Sequence, residues 1–254
     1  MPGAIRNPSQ AMLNQQPSEL KVIYLSSCIN QTMGLAKGAP VKQPLVKEMC
    51  ALLHKAGYEV IFPKNMKNLC CGQIWEGKGM TDIADRKTAE TEQALYEASE
   101  GGRWPVLCDQ SPCLHRLKKM VTRVKLYEPA EFIFTFLKDR LTFHPTHRPV
   151  AIHLTCSTRE MGLSDAMLEV ARMCTDNVFV PEGIGCCGFA GDRGFSRLEL
   201  NNWALRSLQG QIAEHHIERG YSNSRTCEIG LEAHAGIPYM SIVYLVNECT
   251  EPRG

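Results

Sequence analysis

Apolar positions along this chain fall into short runs separated by longer stretches with helical spacing. Lys21-Val22-Ile23-Tyr24-Leu25 reads as a buried strand that ends in Ser26-Ser27-Cys28. Pro44 to about His54 has helical spacing in Leu45, Met49 and Leu52, closed by Gly57. Tyr58 to Phe62 predicts a second strand, stopped by Pro63. Thr81 to about Ala98, rich in Ala, Glu, Lys and Gln, predicts a helix. A strand at Val106-Leu107-Cys108, a short helix from Pro112 to about Val121 and a strand from Val124 to Tyr127 follow. Pro129 then opens a helix to about Leu141.

His144-Pro145-Thr146-His147-Arg148-Pro149 breaks the pattern and reads as a linker. The same order then returns. Val150 to Leu154 predicts a strand, Ser164 to about Met173 a helix, and Val178-Phe179-Val180 a strand stopped by Pro181. Arg197 to about Arg219 predicts one long helix, with Leu200, Ala204, Leu208 and Ile212 on one face. Tyr239 to Val246 predicts a final strand. Strands alternating with helices predict the α/β class: two tandem similar units with largely parallel sheets. The expected organisation is a flexible tail over 1–18, units at 19–143 and 150–254, and a linker at 144–149.

The two units also share landmarks. Cys28-Ile-Asn-Gln-Thr-Met33-Gly34-Leu35 and Cys156-Ser-Thr-Arg-Glu-Met161-Gly162-Leu163 both read Cys-x4-Met-Gly-Leu, each after a strand. Each unit then runs through a strand and a Pro to Cys-Cys-Gly, at Cys70-Cys71-Gly72 and Cys186-Cys187-Gly188. One more cysteine closes each set, Cys113 and Cys227.

Composition narrows the chemistry. The 254 residues are 44% hydrophobic and 22% charged, with 28 Lys+Arg against 27 Asp+Glu. That balance speaks against a strongly basic nucleic-acid-binding surface. No apolar run nears the ~20 residues of a membrane span, and the first residues do not read as a signal peptide. A cytoplasmic protein is expected, and there thiols stay reduced. The 12 cysteines therefore point to metal or redox chemistry.

In parallel α/β sheets the carboxyl ends of strands converge on one crevice. Cys28, Cys70, Cys71 and Cys113 should meet at one place, and Cys156, Cys186, Cys187 and Cys227 at another. Four convergent thiolates suit an iron–sulfur cluster or zinc. An adjacent Cys-Cys pair sits more easily on a cluster, which spreads its ligands over several irons. Cys50, Cys174 and Cys249 lie outside the pattern and read as packed thiols. Gly183-Ile-Gly185-Cys-Cys-Gly188 matches a dinucleotide-binding pattern only by accident, because two of its variable positions are candidate ligands. His215, His216 and His234 read as solvated, Trp75 and Phe189 as packing or shielding groups. Arg193 either faces the second site or pairs with Asp192 or Glu199.

These residues resemble the cysteine-rich CCG domain, present twice. The likeness extends to the cysteine-rich component of heterodisulfide reductase and to iron–sulfur subunits of glycolate, L-lactate and anaerobic glycerol-3-phosphate oxidation. It is closest to the C-terminal part of bacterial FAD-linked D-2-hydroxyacid dehydrogenases, of the D-lactate and D-2-hydroxyglutarate type. CCGQ, CDQSPC, YEPAEF, LTCSTREMGL, IGCCGFAGDRGF, SNSRTCEIG and PYMSIVYLV carry it. The family's last motif is Cys-x-x-Cys, whereas Gln110 and Ser224 stand at its first position. Cys108 is the candidate replacement in the first unit.

The resemblance implies one or two iron–sulfur clusters of [4Fe–4S] type, with zinc as the alternative. It implies electron transfer from a flavin toward a quinone or another acceptor. FAD would sit on a separate domain or partner, since this chain carries no FAD motif. Such a partner could hold the chain peripherally at the inner face of the membrane. The alternatives are a zinc-stabilised scaffold or disulfide chemistry at a cluster.

Overall fold

The computed structural model describes residues 4–5, 8–13, 15–36 and 38–253. The run from Lys21 to Leu25 forms β1 (Lys21–Leu25), whose last four residues are all buried, as expected of a strand covered on both faces. After it come α1 (Cys28–Thr32), α2 (Leu45–Lys55), β2 (Glu59–Ile61), α3 (Gln73–Glu76) and α4 (Thr81–Ala98). Then follow β3 (Val106–Cys108), α5 (Ser111–Met120), β4 (Leu126–Tyr127), α6 (Pro129–Phe132) and β5 (Leu141–Phe143). The second half repeats the plan with β6 (Val150–Ile152), α7 (Cys156–Glu160), α8 (Ser164–Cys174), β7 (Val178–Phe179), α9 (Leu198–Ala204) and α10 (Leu208–Glu214). It closes with β8 (Arg219–Ser222), α11 (Arg225–Ala235), β9 (Tyr239–Ser241), α12 (Ile242–Glu248) and β10 (Thr250–Pro252).

The class is α/β. One parallel sheet has the order β2-β1-β3-β4 and the other β7-β6-β8-β9. The orders are equivalent, with the first strand of each half flanked by the second and third. In the first sheet Leu25 lies opposite Cys108, and in the second Ile152 lies opposite Tyr221. One buried cluster runs from Val22 to Cys249 and draws on both halves. The last helix, α12, packs on α2, and Lys55 Nζ donates to the carbonyls of Asn247 (2.8 Å) and Thr250 (2.6 Å). β10 pairs antiparallel with β5, so the end of the chain returns to the first half.

Several elements differ from the expectations. The long helix expected over Arg197–Arg219 is two helices, broken after Ala204. Leu205, Leu208 and Ile212 are buried while Leu200 is exposed, so the break turns a different face inward. His216, at φ +50°, lies beyond the end of α10, and Arg219 already starts β8. The final apolar run is a strand only to Ser241, whose Oγ then caps α12 by accepting from Val243 N. A short, wholly buried apolar run has no periodicity that separates strand from helix. The helix from Pro129 continues as a π turn over Ile133–Leu137, and Leu141 begins β5 instead.

The leading segment, expected to be flexible, is tied to the first sheet at Gln10 and Gln15. Gln10 and Gln15 each donate through Nε2 to Val60 O at 2.8 Å, and Val60 N donates to Gln15 Oε1 at 2.9 Å. The two side chains occupy the open hydrogen-bonding edge of β2. The rest of that expectation lies outside the described residues. At 144–149, Thr146 N donates to Cys174 O at 2.9 Å, which ties this stretch to the end of α8. Among the described residues no helix is long and apolar enough to cross a membrane.

Candidate metal centre

The parallel sheets place the cysteines at the carboxyl ends of strands. Cys28 opens α1 just beyond β1, Cys108 ends β3, Cys113 lies in the first turn of α5, and Cys70-Cys71 lead into α3. In the second half Cys156 opens α7 beyond β6, Cys227 lies in the first turn of α11, and Cys186-Cys187 sit on the loop between β7 and α9. Cys71, Cys108, Cys187 and Cys227 are buried; Cys28, Cys156 and Cys186 reach the surface.

The thiols come together within each half. Cys71 is hydrogen-bonded to both Cys113 and Cys70, and Cys28 and Cys108 lie within electrostatic reach of Cys113. In the second half Cys187 Sγ donates to Cys227 Sγ at 2.8 Å, and Cys186 bonds both Cys156 and Cys187. Five cysteines thus meet in the first half and four in the second. Cys50, Cys174 and Cys249 stay outside both groups in the core, where Cys249 Sγ donates to Cys174 O at 3.6 Å.

Each Cys-Cys pair is held by the glycine after it. Gly72 has φ +88° and Gly188 φ +74°, the left-handed region that glycine enters without cost. A Cβ on Gly72 would lie 2.5 Å from Ala84 O, and one on Gly188 would run into the Leu200 carbonyl. The first loop is therefore pressed against α4 and the second against α9. The turn aims the glycine N–H at the first sulfur of the pair: Gly72 N lies 3.4 Å from Cys70 Sγ and Gly188 N 3.3 Å from Cys186 Sγ. The second carbonyl of each pair is also bound from the covering helix. Thr88 Oγ1 donates to Cys71 O at 2.8 Å and Asn201 Nδ2 to Cys187 O at 2.7 Å.

Arg116, buried on α5, adds an Nε bond to Cys71 O at 3.1 Å and pairs with Glu76 and Asp85. Its role was not legible, because a lysine/arginine-rich helix end ordinarily faces water. Arg193 turns away from the cysteines: its Nη2 donates to Gly77 O at 3.2 Å, and Asp192 pairs with Lys78 at 3.0 Å. The loop after the second pair thus rests on the loop after the first.

Charge separates the two groups. In the first, burial pushes the Cys28 and Cys108 thiols up. Cys71 donates to Cys113 and holds it down, yet burial together with the negative fields of Cys108, Cys28 and Asp109 outweighs this and leaves Cys113 pushed up to about 11. Asp109, fully buried, accepts from Tyr24 Oη and Ser27 N, both at 2.8 Å, and adds its own negative field. In the second, the bond from Cys156 holds Cys186 down, and the bond from Cys187 holds Cys227 down, with His153 acting in the same direction on both. Asn223 stands four residues before Cys227, as Asp109 does before Cys113.

His153 is the residue that sequence reading missed. It lies one position beyond β6, only 2% exposed, and touches Cys227. A lone imidazole in the apolar run Val150-Ala-Ile-His-Leu154 was the available signal.

The donors pair off rather than surround a point. Among the described residues no three Cys, His, Asp or Glu side chains are set to hold one metal ion. Soft thiols at strand ends, glycine N–H groups aimed at sulfur and covered loops do fit a polynuclear group with several metal atoms.

Residues 22–118 match the model of the cysteine-rich CCG domain. No curated protein matches the chain. Among solved structures, Picrophilus torridus aspartate racemase is similar at TM-score 0.42 and 10% identity, over 92% of this chain and 96% of that one. Glutamate racemase from Aquifex pyrophilus is similar at TM-score 0.40 and 12% identity, over 90% and 82%. Likeness at this level says nothing about activity.

Proposed function

We propose that this cysteine-rich CCG protein binds an iron–sulfur cluster in each half and transfers electrons. In this reading it is the domain or subunit that serves an FAD-linked D-2-hydroxyacid dehydrogenase, passing electrons from flavin toward a quinone or another acceptor. The observation that carries the proposal is the doubled arrangement: matched cysteine sets at the carboxyl ends of two sheets of equivalent order. Core packing of single thiols gives no reason for such a match.

An iron–sulfur group supplies one-electron redox capacity when bound. Cys28, Cys70, Cys71, Cys113 and Cys108 would hold it in the first half, and Cys156, Cys186, Cys187 and Cys227 in the second. The rest of the chain sets its surroundings. Gly72 N and Gly188 N donate to ligand sulfur, which raises reduction potential. Asp109 opposes added negative charge at the first site. The hydroxyls of Ser111, Thr155, Ser157 and Thr158 bond one another between α5 and α7, fixing the two cysteine-bearing elements together. Beside the second site, Leu198 and Trp203 are 64% and 71% exposed, which suits a surface that meets a partner.

The test is metal and acid-labile sulfide content on anaerobically purified protein. The proposal expects about eight irons and eight sulfides with broad absorption near ~400 nm. Stoichiometric zinc without sulfide would overturn it.

A further inference from the structure

The two cysteine groups differ at one corresponding place. In the first sheet Leu25 on β1 lies opposite Cys108 on β3, and Cys108 is the fifth sulfur of its group. Counting from the repeated cysteines, His153 stands three before Cys156, as Leu25 does before Cys28. Ser222 stands five before Cys227, as Cys108 does before Cys113. The pairing of Ile152 with Tyr221, and the bond from His153 N to Tyr221 O at 2.9 Å, put His153 and Ser222 at this same cross-strand position. At this position the first half carries a sulfur on β3 and the second an imidazole just beyond β6.

His153 is also unfinished as a core residue. Its ring is buried against Cys227 and within electrostatic reach of Cys186, yet Nε2 has no hydrogen-bond partner among the described residues. The Ser222 hydroxyl is likewise buried without a partner. Leaving a buried polar group unpaired costs about 1–3 kcal/mol, so a core histidine ordinarily finds one. A ring that bonds one cysteine and keeps its other polar atom buried without a partner beside further thiols has a nitrogen to spare for a metal.

Resting on the function proposed above, we propose that His153 is the fifth donor of the second site and ligates its cluster through Nε2. The two halves then carry chemically different sites, all-thiolate in the first and thiolate–imidazole in the second. Replacing thiolate by neutral imidazole removes negative charge from a cluster and raises its reduction potential. With Asp109 beside the first site and neutral Asn223 at the matching place in the second, electrons would settle in the second half.

The experiment reads nitrogen directly. Full-length protein carrying Cys71→Ser and Cys113→Ser, which confines loading to the second half, is reconstituted anaerobically with iron and sulfide. It is prepared with natural or 15N-labelled histidine, reduced, and examined by pulsed EPR. The expected result is a strong nitrogen hyperfine coupling that changes with the label. His153→Cys should keep its iron and lose the coupling, whereas His153→Ala should lose iron severalfold. A loaded cluster without strong histidine coupling would overturn the assignment alone, leaving His153 at most a hydrogen-bonding neighbour. Iron and sulfide absent from the wild-type protein as well would overturn the function proposed above and this assignment with it.

Discussion

Gln110 Nε2 donates to Ser224 Oγ at 3.1 Å, across the boundary between the two halves. These are the two positions at which the Cys-x-x-Cys motif of the cysteine-rich domain that the chain resembles would place its first cysteine. The same Gln110 accepts through Oε1 from Arg225 N at 2.9 Å, and Ser111 N donates to Asn223 O at 2.9 Å. What would be ligand positions are here part of the seam that joins α5 to α11.

Gln110→Ala therefore takes from the buried Arg225 N–H its acceptor and from the Ser224 hydroxyl one of its bonds, leaving it Thr226 Oγ1 at 3.4 Å. The expected loss is about 1–3 kcal/mol, read as a lower urea midpoint. A variant as stable as the wild type would show that the seam contributes nothing.

Gly72→Ala should act on both fold and site. At φ +88° the new methyl meets Ala84 O at 2.5 Å, so the loop must lift from α4. About 2 kcal/mol of stability should be lost, together with the Gly72 N–H bond to Cys70 sulfur. Metal content of the first half should fall while that of the second persists. An unchanged melting temperature with full metal content would contradict this account of the Cys-Cys-Gly turn.

Glu128 gives a pH dependence with a definite sign. Its carboxylate is fully buried, accepting from Thr158 Oγ1 and Asn223 Nδ2, both at 2.8 Å, and burial raises its pKa above the ordinary carboxylate value. A raised folded-state pKa gives stability that is fully present below the unfolded value of ~4.3. That stability is lost as pH rises through the folded value. Asp109 and Glu228 are shifted upward by burial in the same way, Glu228 to about 7. Urea midpoints should fall between about pH 4.5 and 7, and less steeply in Glu128→Gln. Asn223 Oδ1 has no partner among the described residues, so the Asn223 amide can turn to accept from the new Gln amide. Parallel curves for the two proteins would contradict the assignment.

Much of this molecule was legible from the order of its residues. Short apolar runs marked β1, β2, β3 and β7, and Pro63 and Pro181 punctuated the second and last of these. The two Cys-Cys-Gly turns were legible because only glycine tolerates that backbone. The break at Leu205 was not, since it depends on which face of α9 and α10 finds the core. Nor was α12, whose residues from Ile242 to Val246 are buried on every side and carry no period. His153 and Arg116 escaped notice for a related reason. Each acts through burial against a cysteine far along the chain, and burial of a single polar residue leaves little trace in local sequence.

The central claim is that each half holds its own metal-binding site. It is tested most directly by iron and acid-labile sulfide content of three anaerobically purified proteins: wild type, Cys71→Ser and Cys187→Ser. About eight irons and eight sulfides in the wild type, falling to about four of each in either variant, is the predicted result. No change in either variant, or zinc bound without sulfide in the wild type, would contradict it.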